Sequence, residues 1–179
     1  MAEIKSTLDL VMEKTKNLSL STEERQEQQN KEIGSRIRGL LNKFQDKALS
    51  SEQFNSEYRA LKEEYGLKAA GNTQLIKEIC DRIELGKDNH AMFDLLSEFK
   101  VSDLEGLKSI LLEFETARDA AARERRKILK ADLAKTHLIS GSAVVPNLGK
   151  DDDWRKEAGE IQATYGALLD KEKARLLPE

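Results

Sequence analysis

Cysteine is nearly missing from this sequence: Cys80 stands alone among 179 residues. One cysteine excludes an intramolecular disulfide and a cysteine-built zinc site within the chain. It falls in a helical apolar pattern, which suits a small buried residue better than a nucleophile. Proline occurs twice and aromatics make up 5%, so helices can run long without a breaker and no large aromatic core is available. No apolar run approaches the length of a membrane span. The opening MAEIKSTLDLVMEK carries acids within its apolar face and lacks the apolar core of a signal peptide. A cytoplasmic protein with no membrane partner is expected.

The motifs of common chemistries are missing too. His90 and His137 are far apart, and neither has a helical partner at ligand spacing. Glu-x-x-His, the helical di-iron signature, is absent. There is no Walker motif, and Gly141-Ser142 follows a helix instead of opening one, so the phosphate geometry of a helix N-terminus is lacking there. No metal, no cofactor and no enzymatic activity are expected. The net charge of −3 demands no polyanionic partner.

What is present is helix. Charged residues are 35% of the chain, and Ala, Glu, Lys, Leu and Arg together make about half, a composition of coiled coils and long helices. The dominant stretch is 102–139. Ser102 and Glu105 read as a capping box, with Asp103 in the first turn. One seam runs Leu107, Ile110, Phe114, Ala117, Ala121, Glu124, Ile128, Ala131, Lys135, Leu138, a period of about 3.5 residues. A helix of that length would measure about 55 Å, against a radius of gyration of about 16 Å for a compact domain of this size. The predicted fold is therefore all-α: an elongated antiparallel helical bundle, or a coiled-coil-like hairpin with one long helix, in a single domain spanning 1–179.

Shorter helices fill the rest. Ala2 to Lys16 carries Ile4, Leu8, Val11 and Met12 on one face, and Leu18 to Leu20 forms a linker. Ser21 and Glu24 open a helix to about Ala48, and Ser50 and Gln53 open another that Gly66 ends. Phe44 and Phe54 flank a tight turn between these two. A helix from Asn72 or Thr73 buries Leu75, Ile79, Cys80 and Ile83, and one capped by Asp88 or Asn89 buries Met92, Leu95 and Leu96. After a connector over 140–150, a last helix over 151–176 starts with Asp151, Asp152 and Asp153.

Three surfaces invite a function. The first is the long seam, which has too few partners within the chain and which a second copy would bury; the early half of the long helix is acidic and the late half basic, which would suit an antiparallel second copy, but a solvated helix with charges placed as its dipole favours is the simpler reading. The second is a basic stripe for phosphates: Arg36, Arg38, Lys43 and Lys47, with Arg118, Arg123, Arg125, Arg126, Lys127 and Lys130. No aromatics interleave with these bases, so nucleic acid is the less favoured partner. The third is the connector, where Gly141, Ser142, Pro146, Asn147 and Trp154 gather most of the turn chemistry of the C-terminal third; a structural turn is the simpler reading. The opening MAEIKSTL and the GSAVVPN loop resemble a family of uncharacterised bacterial helical proteins. That resemblance implies a bacterial, cytoplasmic, helical protein and carries no activity. The expectation is a non-enzymatic helical interaction or assembly protein that self-associates; the alternative is a nucleic-acid- or ribosome-associated factor.

Overall fold

The computed structural model of the chain describes residues 21–67 and 69–177. The expected helix over Ala2 to Lys16 and its linker lie outside them. Among the described residues the secondary structure is six α-helices and one 3-10 turn, with no strand. By contact the chain gathers into two compact units, one ending at Gly66 and the other beginning at Leu67, where the sequence reading treats 1–179 as a single domain.

In the first unit, α1 (Thr22–Gln45) and α2 (Ser51–Glu64) form an antiparallel hairpin. Both starts are set by capping boxes. The Ser21 hydroxyl accepts from Glu24 N–H at 3.1 Å while Glu24 Oε2 accepts from Ser21 N–H at 2.8 Å. Ser50 and Gln53 repeat the exchange at 3.2 and 2.9 Å. These bonds satisfy donors that have no partner inside the helix. α1 ends with the Ala48 N–H on the Lys43 carbonyl and the Lys47 N–H on that of Phe44. This is the Schellman pattern, with Lys47 in the left-handed position at φ 57. The turn brings the Phe44 and Phe54 rings to 5.5 Å. Ile33, Ile37 and Leu41 on α1 and Phe54, Tyr58 and Leu61 on α2 are buried. Gly34 lies on the buried seam, whereas a Cβ on Gly39 would meet nothing within 4 Å. Gly39 is thus a weak point of the helix and not a place of close approach.

The second unit pairs α3 (Ala69–Asp81) with α4 (His90–Glu98), and α5 (Glu105–Thr136) with α6 (Asp152–Leu176). Leu75, Ile79, Ile83, Met92, Leu95 and Leu96 fill the core of the α3–α4 pair. Asn89 does not cap α4 with its side chain. Instead its amide staples the preceding turn: Oδ1 accepts from Glu84 N–H at 3.0 Å, and Nδ2 donates to the carbonyls of Glu84 and Lys87 at 2.9 and 3.0 Å. The capping task falls to Asp88, whose Oδ1 accepts from His90 N–H.

α5 is 32 residues long and shorter at both ends than the pattern predicts. The Ser102–Glu105 capping box does not form, because Asp103 adopts φ 67, outside any helix. That turn lets Leu104 and Leu107 both reach the core, and it hands the Asp103 carboxylate to Arg175 on α6. At the other end Leu138 takes φ 54 and breaks the helix. α6 runs antiparallel along α5: Gly106 lies beside Glu172, the Phe114 and Tyr165 rings meet edge-on at 5.9 Å, and Arg125 reaches Asp151. A Cβ on Gly106 would collide with the Glu172 carboxylate. The glycine therefore lets a carboxylate settle over the first turn of α5, where the helix dipole favours a negative charge. The apolar part of the seam is covered within the chain, with Leu107 and Phe114 at 0% and 2% exposure. The expectation that this seam lacks partners of its own does not hold for that part.

Candidate interaction surface

The basic residues divide between the units, with Arg36, Arg38, Lys43 and Lys47 on and just after α1 and the others on α5. Within the first unit they are largely engaged. Arg36 donates to Glu64 Oε2 at 2.9 Å, lies 3.8 Å from Glu32 and covers the Tyr65 ring at 5.4 Å. The Tyr65 hydroxyl in turn donates to Glu32 at 2.6 Å. Lys43 pairs with Glu57 at 3.6 Å, and Arg38 is also partnered. Lys47 forms the left-handed turn.

On α5 the cations are unequal. Arg125 is a clamp. Its Nε and Nη2 donate to the two oxygens of Asp151 at 2.7 and 2.8 Å, and Nη2 also donates to Asp153 at 2.7 Å. The side chains of Arg125 and Asp151 keep only 18% and 13% of their exposure. A bidentate guanidinium–carboxylate pair is the strongest form of the contact. It holds the Asp151 carboxyl below its ordinary value, chiefly by the Arg125 hydrogen bonds. The same Asp151 caps α6 by accepting from Trp154 N–H at 2.7 Å. Arg125 is thus committed to its own chain, and a phosphate there would have to displace Asp151. Arg123 reaches back to Asp119 at 3.9 Å and Lys127 to Glu124 at 3.0 Å. Arg118 lies beside Gly86. Arg126 and Lys130 are exposed and make no ion pair among the described residues.

The connector residues are mostly structural. Pro146 is buried, Asn147 Oδ1 accepts from Gly149 N–H to start the 3-10 turn Leu148–Lys150, and Trp154 is half-buried in the first turn of α6. Gly141, at φ 133, and Ser142 are exposed. Residues 139–144 fold back beside Lys130 and Ala131, and residues 146–151 beside Leu129 and Leu133. The hairpin end thus folds back beside the last turns of α5, while residues 137–143 stay exposed.

Periodicity missed what lies on the outside. Leu112 is 65% exposed and Leu168 44%, and these two stand at the same level of the antiparallel pair. At the hairpin end, Leu138 is 88% exposed and Val145 75%, with Ile128 and Ile139 at 50%. Ile128 belongs to the predicted seam, yet α6 does not cover it.

A cleft of about 820 Å³ separates α4 from α5. His90, Phe93 and Asp94 line one side, and Lys108, Leu111 and Glu115 the other. Lys108 spans it, pairing with Glu105 at 3.0 Å and standing 6.0 Å from the Phe93 ring. Cys80 is buried at 1% exposure, and burial pushes its thiol up to about 11, far from the thiolate a nucleophile needs. Among the described residues no cluster of three His, Cys, Asp or Glu side chains is placed to hold a metal ion, and no helix is long and apolar enough to cross a membrane. No known family, curated protein or solved structure matches this chain.

Proposed function

We propose that this chain is a non-enzymatic helical interaction protein that self-associates, with α5 and α6 forming the coiled-coil-like hairpin of an elongated antiparallel bundle. The observation that carries the reading is the pair of large aliphatic side chains left in solvent on the body of that hairpin, Leu112 and Leu168. Single exposed leucines are ordinary on a protein surface. Two at one level of a helix pair, each on an outer face, are apolar surface that a second copy would bury. The unequal charge of α5 adds direction, since its early acids would face the late bases of an antiparallel partner.

The nucleic-acid alternative draws less support. Arg36, Lys43, Arg123, Arg125 and Lys127 already pair with acids of the same chain. A phosphate would have to displace those carboxylates, most of all at Arg125.

Sedimentation velocity over a wide concentration range tests the proposal. A concentration-dependent shift to larger species is expected, and Leu112→Ser with Leu168→Ser should abolish it without loss of helicity. A monomer at every concentration would refute self-association.

A further inference from the structure

The end of the α5–α6 hairpin differs in character from the rest of the chain. Residues 126–150 hold five bases and one acid, Asp132, whereas the whole chain carries −3. Arg126, Lys130, Lys135 and Lys150 are exposed and pair with no acid among the described residues. The neighbouring acids are taken up elsewhere: Asp151 and Asp153 by Arg125, Asp152 by Arg155, Glu124 by Lys127. Among the described residues, four of the six large apolar side chains that stand exposed are also here: Ile128, Leu138, Ile139 and Val145.

Leu138, Ile139 and Val145 stand in solvent on the loop after α5, and Arg126, Ile128, Lys130 and Lys135 lie on the last turns of α5 that lead into it. Leu138 sits at a left-handed break and is the most exposed large apolar residue of the described chain. A projecting tip inserts into something soft, or into a groove on a partner; it does not itself cradle a helix. Aliphatic side chains offer no stacking to bases, which argues against nucleic acid. Tip-to-tip pairing of two copies would bring like charges together. Exposed aliphatic residues and unpaired bases on one hairpin end, with Lys130 beside Ile139, match a surface that is anionic outside and apolar beneath, as a phospholipid headgroup layer is.

We propose that the hairpin end formed by residues 126–150 docks on anionic lipid surfaces, with Leu138, Ile139 and Val145 entering the headgroup region and the bases meeting lipid phosphates. This is contact with a surface, not a crossing, and it is independent of the self-association proposed above.

The test is flotation of the whole chain with phosphatidylcholine vesicles, with and without phosphatidylglycerol. Binding is expected only to the anionic vesicles. A base near such a surface is worth about fivefold in partitioning, so Lys130→Glu with Lys135→Glu should weaken binding by about 25-fold or more. Leu138→Ser with Val145→Ser should weaken it by about tenfold or more. All four side chains are exposed, so unchanged far-ultraviolet circular dichroism will show that the variants fold. Equal binding to both vesicle types, or no binding, overturns the proposal. So does anionic binding that survives the double serine variant, since that would be charge alone. Loss of self-association with vesicle binding intact in that variant would make the tip an interface between copies and overturn it as well.

Discussion

Phe114 decides whether the long helix is covered by its own chain. Its side chain is 2% exposed and meets the Tyr165 ring edge-on at 5.9 Å, with 68° between the ring planes. Truncation to alanine removes a fully buried ring and leaves a cavity, a loss of about 3–5 kcal/mol. Of this, about 0.5–1.5 kcal/mol belongs to the ring pair itself. For a chain of this size that corresponds to about 6–20 °C in Tm. Phe114→Leu keeps most of the volume and should cost about 1 kcal/mol, while Leu112→Ala, on the exposed face, should change stability by no more than about 0.5 kcal/mol. The single tryptophan, Trp154, lies in the first turn of α6, so its fluorescence during urea unfolding reports on this unit by itself. The loss from Phe114→Ala must be the same at low and high protein concentration, because Tyr165 belongs to the same chain. A loss that grows with protein concentration would mean that a second copy covers the seam. A loss below about 1 kcal/mol would mean that the ring is not packed at all.

Three more outcomes follow from single contacts. Asn89→Ala should destabilise the second unit by about 1–3 kcal/mol, since it removes a buried amide and strips partners from the Glu84 N–H and from two carbonyls of a part-buried turn; hydrogen exchange at the Glu84 amide should accelerate in step. Gly39→Ala should stabilise α1 by about 0.5–1 kcal/mol, as nothing stands within 4 Å of the new Cβ, whereas Gly66→Ala, at φ 62, should cost about 1 kcal/mol; urea midpoints separate the two signs. The Arg125–Asp151 clamp sets a pH dependence. The folded Asp151 carboxyl lies below its ordinary 3.8, so its stabilisation is full above that value and is lost as pH falls through the lowered one. Acid titration followed by Trp154 fluorescence should show this loss, and Asp151→Asn should flatten that part of the curve.

Local chemistry made much of the fold legible. Ser21 with Glu24, and Ser50 with Gln53, are capping boxes in the sequence and in the structure, because a box needs only four consecutive residues. The Phe44–Phe54 turn was readable for the same reason. Ser102 with Glu105 has the same spelling and fails. There the burial of Leu104 and Leu107 pulls the chain through a left-handed residue, and packing overrides the cap. The breaks at Lys47, Lys100 and Leu138 were not legible either. Each places a side chain where glycine is favoured, so no sequence signal marks them.

Charge was read least well, because its meaning depends on register. Along the sequence Arg125 is one of six bases from Arg118 to Lys130, and nothing local sets it apart. The three aspartates at 151–153 read only as acids at a helix start. Once α5 and α6 run antiparallel with Phe114 opposite Tyr165, Arg125 falls beside Asp151 and must be spent there. The same register leaves Arg126 and Lys130 on the outside. One contiguous basic run is thereby sorted into a part-buried clamp and a free surface. The division has a measurable consequence: Arg125→Ala should loosen the hairpin end and leave the charge of its exposed face unchanged, whereas Arg126→Ala should leave the fold intact. Unfolding followed by Trp154 fluorescence distinguishes them, and equal stability of the two variants would show that the clamp contributes no more than an ordinary surface pair.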